Sequence, residues 1–335
     1  MTTSILIVLS GSLGDIARAL CLPAHLKTHF PESGLAWLVE ERWADLIAGH
    51  PHIDRTVTFR RAWRVEAVTD VIAQLKRESY DISLDLQRIF KSGLLSLASG
   101  ATRRIGFHPR NSKEMNWIFN NEHIGYQSEN TSKLQHYLKF CEYLGLSPPE
   151  RLDFGMRPQH PGAFRNQAFS SPYISVVMGS SWPSKNWHLE GYAELITKVL
   201  SAGRYDVLLL GVRDQAKTAE MLEKKLQSES VVNLVDRTSI GELLYILSKA
   251  EAAVGPDTGS GHLAAAVGTP YVTMVGPTTP ERIAPYGCEH LTVRSDSPCA
   301  PCAKRACARP QYDCMGSISA NAVFDKIHQI LPELL

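Results

Sequence analysis

Residues 4–20 read SILIVLSGSLGDIARAL, which is an apolar run, a glycine-bearing turn and a helical segment in direct succession. Residues 4–9 are mostly apolar, as expected of a buried parallel strand, and residues 16–30 form a helical pattern that Pro31 ends. A strand followed at once by a helix is the first half of a βαβ unit. The segment therefore predicts a parallel sheet covered by helices.

The same alternation continues along the chain on both sides of residues 152–172, whose three prolines and two glycines are typical of a connector. Strands are predicted at residues 36–39, 56–59, 81–85, 173–178, 206–210, 231–234, 252–254 and 271–275. The pattern predicts an α/β protein with two Rossmann-like, doubly wound domains, residues 1–165 and 166–335, facing each other across a cleft. A last amphipathic helix, residues 318–331, is expected to pack back.

Composition and charge exclude several classes of protein. A length of 335 residues and a hydrophobic fraction of 44% fit two globular domains. The formal charge of +1 argues against a dedicated nucleic-acid binder. The N-terminus has no basic region with a long apolar stretch, and no window reaches the roughly 20 apolar residues of a membrane span. We expect a cytoplasmic protein that contacts the inner-membrane surface at most peripherally.

Three loops with glycines and hydroxyl groups each follow a predicted strand and precede a helix. The first, residues 10–15, ends at Asp15; the second, residues 179–187, contains Lys185; the third, residues 255–262, ends at His262. Glycine lets the backbone approach a ligand closely, and the start of a helix favours anions. Because the carboxyl ends of parallel strands are where ligands of such sheets bind, these loops predict a common ligand cleft.

Each loop also has a purely structural interpretation. Asp15 fits the N-cap of the helix that follows, and Ser184 or Asn186 fits the same position in the second loop. A histidine in the first turn of a helix, such as His262, is as often structural as ligand-binding. The pattern on its own leaves both interpretations open.

Four arginines, Arg55, Arg60, Arg61 and Arg64, lie close together with few acids between them. Such a run is typical of a solvated face, and it also fits an anion pocket or a surface that faces a membrane.

Four of the seven cysteines form a cluster near the C-terminus, Cys299, Cys302, Cys307 and Cys314. Four thiolates fit structural zinc, although the spacing lacks the paired CxxC motifs of most zinc ribbons. An iron–sulfur cluster, a redox disulfide and unliganded thiols remain alternatives. In each case we expect the segment to stabilise a corner of the fold.

In these loops and over nearly its whole length, the chain resembles family 9 glycosyltransferases, the ADP-heptose:lipopolysaccharide heptosyltransferases of the GT-B fold. The resemblance is strongest in residues 10–15, 179–187 and 257–262, where the last reads DTGSGH, and in the GPT of residues 276–278. Residues 37–41 and 80–92, together with the arginine run, look most like the type I members, which add the first L-glycero-D-manno-heptose to Kdo of the inner core.

The resemblance implies a role for each matching residue. Asp15 is the expected base, which deprotonates the acceptor hydroxyl. Lys185 is expected to neutralise the donor phosphates. The donor-binding set implied for ADP-heptose is Ser180, Ser181, Lys185, Asp257, Thr258, Gly259 and His262. The acceptor, of the Kdo-lipid A type, is expected to contact Gly14, Arg60, Arg61 and Arg64.

The implied chemistry is an inverting displacement. A base acts on the acceptor, and cations with backbone N–H groups stabilise the charge that develops on the diphosphate. No catalytic cofactor is expected, because Lys185 and the start of a helix carry the positive charge. These loops also lack the DxD motif of metal-dependent sugar transferases. An aspartate of ordinary pKa, near 4, is a weak base, so its surroundings or a late proton transfer must help.

The chain departs from the family pattern at two places. The acid that holds the ribose is displaced, and Asp214 is the nearest substitute. Ser260 replaces the usual leucine, and Gly261 beside it is expected to add flexibility.

Three other functions fit parts of the pattern: a type II or other family 9 transferase with a different donor or acceptor, a sugar-nucleotide binding or epimerising protein, and a metal or redox module built on the cysteines.

Overall fold

The computed structural model describes residues 3–60, 65–159, 171–309 and 313–334, and the chain divides into two compact units, Met1–Arg157 and Pro158–Leu335. The predicted boundary at residue 165 lies outside the described residues. The resemblance also implies that residues 1–165 bind the acceptor and residues 166–335 bind the nucleotide sugar, and this stays a prediction.

The first unit is a parallel sheet with the strand order β3-β2-β1-β4-β5-β6. Its strands are β1 (Ser4–Val8), β2 (Gly34–Glu40), β3 (Arg55–Phe59), β4 (Ile82–Asp85), β5 (Arg103–Gly106) and β6 (Glu122–His123). Its helices are α1 (Leu13–Ala19), α2 (Cys21–His29), α3 (Ala44–Ala48), α4 (Val65–Leu75), α5 (Phe90–Ala98) and α6 (Lys133–Tyr143). Ile5 of the central strand pairs with Leu35 on one side and Ile82 on the other, and its side chain is fully buried.

The second unit repeats this topology in the order β12-β11-β10-β7-β8-β9. Its strands are β7 (Tyr173–Val177), β8 (Asp206–Leu210), β9 (Val231–Asn233), β10 (Ala252–Pro256), β11 (Tyr271–Val275) and β12 (Thr292–Arg294). Its helices are α7 (Leu189–Ser201), α8 (Ala216–Leu226), α9 (Ile240–Lys249), α10 (Gly259–Ala266), α11 (Pro280–Ile283) and α12 (Ala320–Ile330). The C-terminal helix α12 packs against α7 and against β11 and β12, so the second unit carries it.

The prediction of two doubly wound α/β units is confirmed, and most predicted strands differ from the observed ones only at their ends. The predicted helix over residues 16–30 is instead two helices, α1 and α2, which meet at Leu20. Pro23 has no N–H to donate to the carbonyl of Ala19, so one continuous hydrogen-bond ladder cannot form across this point.

Strands β5, β6 and β12 are not predicted from the sequence. The first reads RRIG and the second has only two residues. Strands β5 and β6 lack the apolar run that identifies a buried strand, because both lie towards the edge of the sheet.

Candidate active site

Both sheets reverse their strand order at one point, between β1 and β4 in the first unit and between β7 and β10 in the second. In open α/β sheets, ligands bind beside the carboxyl ends of the strands at such a point. Asp15 follows β1, Lys185 follows β7 and Asp257 follows β10. Each of the three therefore lies at the switch point of its own unit.

The loop that leads to Asp15 is held by Gln87, a residue that the sequence alone did not identify. The Oε1 atom of Gln87 accepts hydrogen bonds from the backbone N–H of Ser10 at 2.9 Å and of Gly11 at 3.3 Å, and from Ser10 Oγ at 3.1 Å. Gln87 follows β4, the neighbour of β1 at the switch point. In the sequence, the only indication of this role is that Gln87 lies two residues after the end of β4.

Gln87 is in turn fixed by Asp85, the last residue of β4. The backbone N–H of Gln87 donates to Asp85 Oδ1 at 3.2 Å, and Asn116 Nδ2 donates to Asp85 Oδ2 at 2.6 Å. Burial raises the pKa of this carboxyl, and its hydrogen bonds oppose that effect only in part. Asp85 is fully buried and supports the loop through its contact with Gln87.

Asp15 is the third residue of α1, and Ser12 occupies the N-cap position, so the interpretation of Asp15 as the N-cap is wrong. Its Oδ1 atom accepts hydrogen bonds from Lys133 Nζ at 2.9 Å and from Arg18 NH1 at 3.2 Å. Its Oδ2 atom accepts one from Ser12 Oγ at 3.2 Å. Two cations from two helices therefore flank one carboxylate.

These cations set the protonation state of Asp15. Burial alone would raise the pKa of the carboxyl, but Lys133 and then Arg18 outweigh it, and the pKa lies below its ordinary value. For Tyr137 of α6, burial and then the nearby charge of Asp15 raise the pKa of the phenol well above the ordinary value. Asp15 is thus an anion and Tyr137 a neutral phenol at physiological pH.

Of the predicted acceptor arginines, the structure describes Arg60. Its side chain is exposed, and its Nε lies 3.3 Å from Glu41 Oε2. A shallow depression beside it is also lined by Glu41 and Asp70. Arg61 and Arg64 lie outside the described residues, and the acceptor role of the run stays a prediction.

In the second unit the structure brings two predicted donor residues together. Lys185 Nζ donates to Asp257 Oδ2 at 2.6 Å and lies 4.5 Å from the centroid of the Trp182 ring. Both charged side chains are nearly buried. The pair holds one ammonium group beside the start of α10, where backbone N–H groups also point outward.

The two predicted serines belong to the same loop. Ser180 donates its backbone N–H to Asn186 Oδ1 at 2.9 Å, and its hydroxyl oxygen accepts from the backbone N–H of Trp182 at 3.3 Å. The backbone carbonyl of Ser181 accepts from Arg305 at 3.4 Å. Helix α7 is capped by His188, whose Nδ1 accepts from Gly191, so the alternative that Ser184 or Asn186 caps it is wrong.

The third loop enters α10 directly. Thr258 occupies its N-cap position, Gly259 is its first residue and His262, which is buried, is its fourth. A Cβ on Gly261 would lie 2.6 Å from the ring of Tyr271, and the Tyr271 hydroxyl donates to the Pro256 carbonyl at 3.0 Å. Close packing against this ring, and not the expected flexibility, therefore explains the glycine.

The role of Asp214 as a substitute for the acid that holds the ribose stays a prediction. Asp214 is exposed in the short helical turn Arg213–Gln215 that follows β8, and Nε of its neighbour Arg213 lies 3.3 Å from Asp236 Oδ2.

All seven cysteines are free thiols. Cys314 is buried, Cys299 is half-buried, and Cys302 and Cys307 are exposed. Burial and then the other three thiols of the cluster raise the pKa of Cys314. Across the ranges that the structure describes, no three His, Cys, Asp or Glu side chains are arranged to hold a metal ion, so the predicted structural zinc is not shown.

The cysteine segment does support the donor loops. The hydroxyl of Ser184 donates to the Lys304 carbonyl at 2.7 Å, and the backbone N–H of Ala303 donates to the Pro277 carbonyl at 2.7 Å. The segment therefore braces the loops that follow β7 and β11.

Comparison with known proteins places this geometry in a family. The family model described as "Glycosyltransferase family 9 (heptosyltransferase)" matches residues 68–313. The chain is 28% identical to lipopolysaccharide heptosyltransferase 1 of Pseudomonas aeruginosa, over 90% of this chain and 87% of the relative. It is 27% identical to the lipopolysaccharide core heptosyltransferase OpsX of Haemophilus influenzae, over 84% of this chain and 82% of the relative.

A solved structure with the same fold is the E. coli heptosyltransferase WaaC with ADP. The TM-score is 0.80 at 23% identity, over 98% of this chain and 100% of that one. The predicted GT-B fold is thereby confirmed. Among the helices that the structure describes, none has the length and apolarity to cross a membrane.

Proposed function

The chain belongs to glycosyltransferase family 9, and on this basis we propose that it transfers L-glycero-D-manno-heptose from ADP-heptose to Kdo of the lipopolysaccharide inner core, with inversion. The names of the similar proteins support a heptose donor and a lipopolysaccharide core acceptor. The observation that carries the proposal is the placement of unlike charges at the two switch points: a carboxylate in the first unit and a cation at the start of a helix in the second.

In this proposal Asp15 is the base. The Kdo hydroxyl donates its proton to the Asp15 carboxylate while its oxygen attacks the anomeric carbon of heptose, and the bond from that carbon to the diphosphate oxygen breaks. Because Arg18 and Lys133 hold the carboxylate ionised, no proton must leave it first. The same cations make it a weak base, which suits a late proton transfer from an acceptor already bonding to an oxocarbenium-like centre.

The two cations around Asp15 differ in how they are held. The Arg18 side chain is 8% exposed and that of Lys133 is 32% exposed, at the start of α6. An acceptor carboxylate beside the reacting hydroxyl would compete with Asp15 for Lys133 more easily than for Arg18. Losing Lys133 to the acceptor would raise the basicity of Asp15 when the hydroxyl arrives.

Lys185 and the start of α10 act on the leaving group. ADP departs with negative charge on its β-phosphate, and an ammonium group with backbone N–H donors stabilises that charge without reorganisation. Asp257 holds Lys185 in place through the 2.6 Å contact. With this charge supplied by the chain, we propose that transfer does not require a divalent metal ion.

The test is transfer by the purified protein from ADP-heptose to Kdo-lipid A, with and without EDTA. We expect heptosylated Kdo-lipid A and release of ADP, unchanged by EDTA, and no turnover without acceptor. Transfer only to an acceptor that already carries heptose would identify a type II enzyme. Turnover of ADP-heptose without acceptor would favour an epimerising protein and overturn the proposal.

A further inference from the structure

One surface of the first unit exposes large apolar side chains that the proposed chemistry does not use. Phe90, Met115, Trp117 and Ile118 are each between 41% and 61% exposed. Phe90 begins α5, and the other three belong to the short turn that lies on this helix, where the Phe90 and Phe119 rings meet edge to face at 4.8 Å. We call these four side chains the apolar turn surface.

Buried contacts on the inner side of this turn fix its conformation. Asn116, which is fully buried, donates to Asp85 Oδ2 at 2.6 Å and to the Ile89 carbonyl at 2.7 Å. A Cβ on Gly93 would lie 2.6 Å from the Phe119 ring, so the turn packs directly on the backbone of α5. The exposed side chains are therefore held outward by a rigid support and are not a loosely packed loop.

The segment that carries the apolar turn surface has more basic than acidic side chains. Residues 88–118 contain six Lys and Arg residues and one acid, Glu114, and two of the six cations are paired with acids beyond this range, Arg88 with Glu129 and Arg103 with Glu122. Glu114 accepts a hydrogen bond from the backbone N–H of Phe90 at 3.2 Å, so its charge is directed at the start of α5. Arg110 and Lys113 lie just before the turn in the chain and are exposed. These two exposed cations lie beside the exposed apolar side chains of the turn.

We propose that the apolar turn surface, with Arg110 and Lys113, docks the protein on an anionic phospholipid bilayer. Tryptophan and aliphatic side chains insert at the interface between water and acyl chains, and lysine and arginine bind the anionic headgroups. A second copy of the chain is a poorer occupant, because a symmetric interface would bring like charges together at its rim.

The position of the surface suits a lipid-borne acceptor. Asn116 joins it to Asp85, the end of β4, and Asp85 holds Gln87 and through it the loop of Asp15. A bilayer bound here lies against the unit that carries the base. The relevance to catalysis rests on the proposed function, but the binding itself does not.

The experiment is co-sedimentation of the purified chain with vesicles of phosphatidylcholine and phosphatidylglycerol, and with vesicles of phosphatidylcholine alone. We expect binding to the anionic vesicles, weakened by salt, and little to the neutral ones. Replacing Trp117 and Ile118 together by serine should lower the partition coefficient by about tenfold or more. Replacing Arg110 and Lys113 together by alanine should abolish the preference for anionic vesicles.

The matched control replaces Val212 and Met221, two comparably exposed apolar residues of the second unit, by serine and should bind as the unchanged chain does. Failure of the unchanged chain to bind anionic vesicles, or equal binding by the Trp117 and Ile118 variant, would overturn the proposal. A variant that instead changes only the oligomeric state would show a surface between copies and would also overturn it.

No acceptor is present in this assay, so its outcome is independent of the proposed function. Transfer to a soluble Kdo acceptor without acyl chains should be unchanged in the Trp117 and Ile118 variant. Transfer to Kdo-lipid A in vesicles should fall with the loss of binding.

Discussion

The switch points of the two units share a backbone plan and differ in their balance of charge. In the first, one carboxylate, Asp15, meets two cations, and one of them is a third exposed. In the second, one cation, Lys185, meets one carboxylate, and both are nearly buried. The first arrangement leaves a partly exposed carboxylate beside a partly exposed cation, and the second holds a cation at a fixed and nearly buried place. The sheet supplies the location, and the loops decide which charge acts there.

Removing the Asp15 carboxylate at the first switch point should reduce kcat more than any of the other changes below. Asp15→Asn keeps the shape and some hydrogen bonding of the side chain but cannot accept the acceptor's proton, so kcat should fall by about 10²–10⁴-fold. The dissociation constant of ADP, measured by calorimetry, should stay within a factor of about two, a change well under 1 kcal/mol. Retained transfer would remove Asp15 from the chemistry.

Removing the Lys185 ammonium group at the second switch point should impair both donor binding and transfer. In Lys185→Met we expect kcat/KM for ADP-heptose to fall by about 10²–10³-fold, with weaker ADP binding, because a donor to the leaving phosphate is lost. The variant also leaves Asp257 without its 2.6 Å partner, which should cost about 1–3 kcal/mol of unfolding free energy.

The double variant Lys185→Met with Asp257→Asn separates these effects. It should recover part of the unfolding free energy, measured by urea denaturation, and none of the activity. Recovery of activity along with stability would mean that Lys185 acts only through its partner and not on the donor.

A smaller loss of kcat is expected when the hydrogen bonds that hold the Asp15 loop are removed and the charges around Asp15 are kept. Gln87→Leu removes the oxygen that accepts from Ser10 and Gly11, so the loop of Asp15 loses its tie to β4. We expect kcat to fall by about tenfold, since displacing a reacting group by a fraction of an ångström is costly. Gln87→Glu, which keeps an acceptor oxygen, should lose less, and equal losses would mean that the tie does not position Asp15.

The loops on which these experiments act were largely predictable, and their partners were not. The apolar run of residues 4–9 and the glycines after it located Asp15, and the same pattern located Lys185 and Asp257. Lys133 is 118 positions away from Asp15 in the sequence, so no local periodicity connects them. Gln87 and Asp85 likewise act through a neighbouring strand, which only the strand order reveals.

Other predictions were wrong because the local sequence pattern alone does not determine the structure at these positions. Asp15 was a plausible cap until the structure showed Ser12 at that position. Gly261 suggested flexibility, but the ring that requires it belongs to the next strand, at Tyr271. The short edge strand β6 carries almost no pattern, because its neighbours and not its own residues define it.

The smallest expected effect at neutral pH is also the most direct test of the unequal cations around Asp15. Lys133→Gln removes the largest electrostatic cause of the lowered pKa of Asp15, so that pKa should rise. Because the base must be ionised, the acid limb of the profile of kcat/KM against pH should move to higher pH, while the rate near pH 8 changes only a few-fold, about 1 kcal/mol or less. The profile, measured from ADP release, should show this displacement.

The linked stability has a definite sign. A carboxyl with a lowered folded-state pKa contributes stability above its unfolded pKa of about 4, and that contribution is lost as the pH falls through the folded value. The difference in unfolding free energy between the unchanged chain and Lys133→Gln should therefore shrink on acidification below about pH 4. An acid limb that does not move would place the control of Asp15 with the buried Arg18 alone. The first switch point would then hold its charge as rigidly as the second, and the contrast between the two units would not extend to their electrostatics.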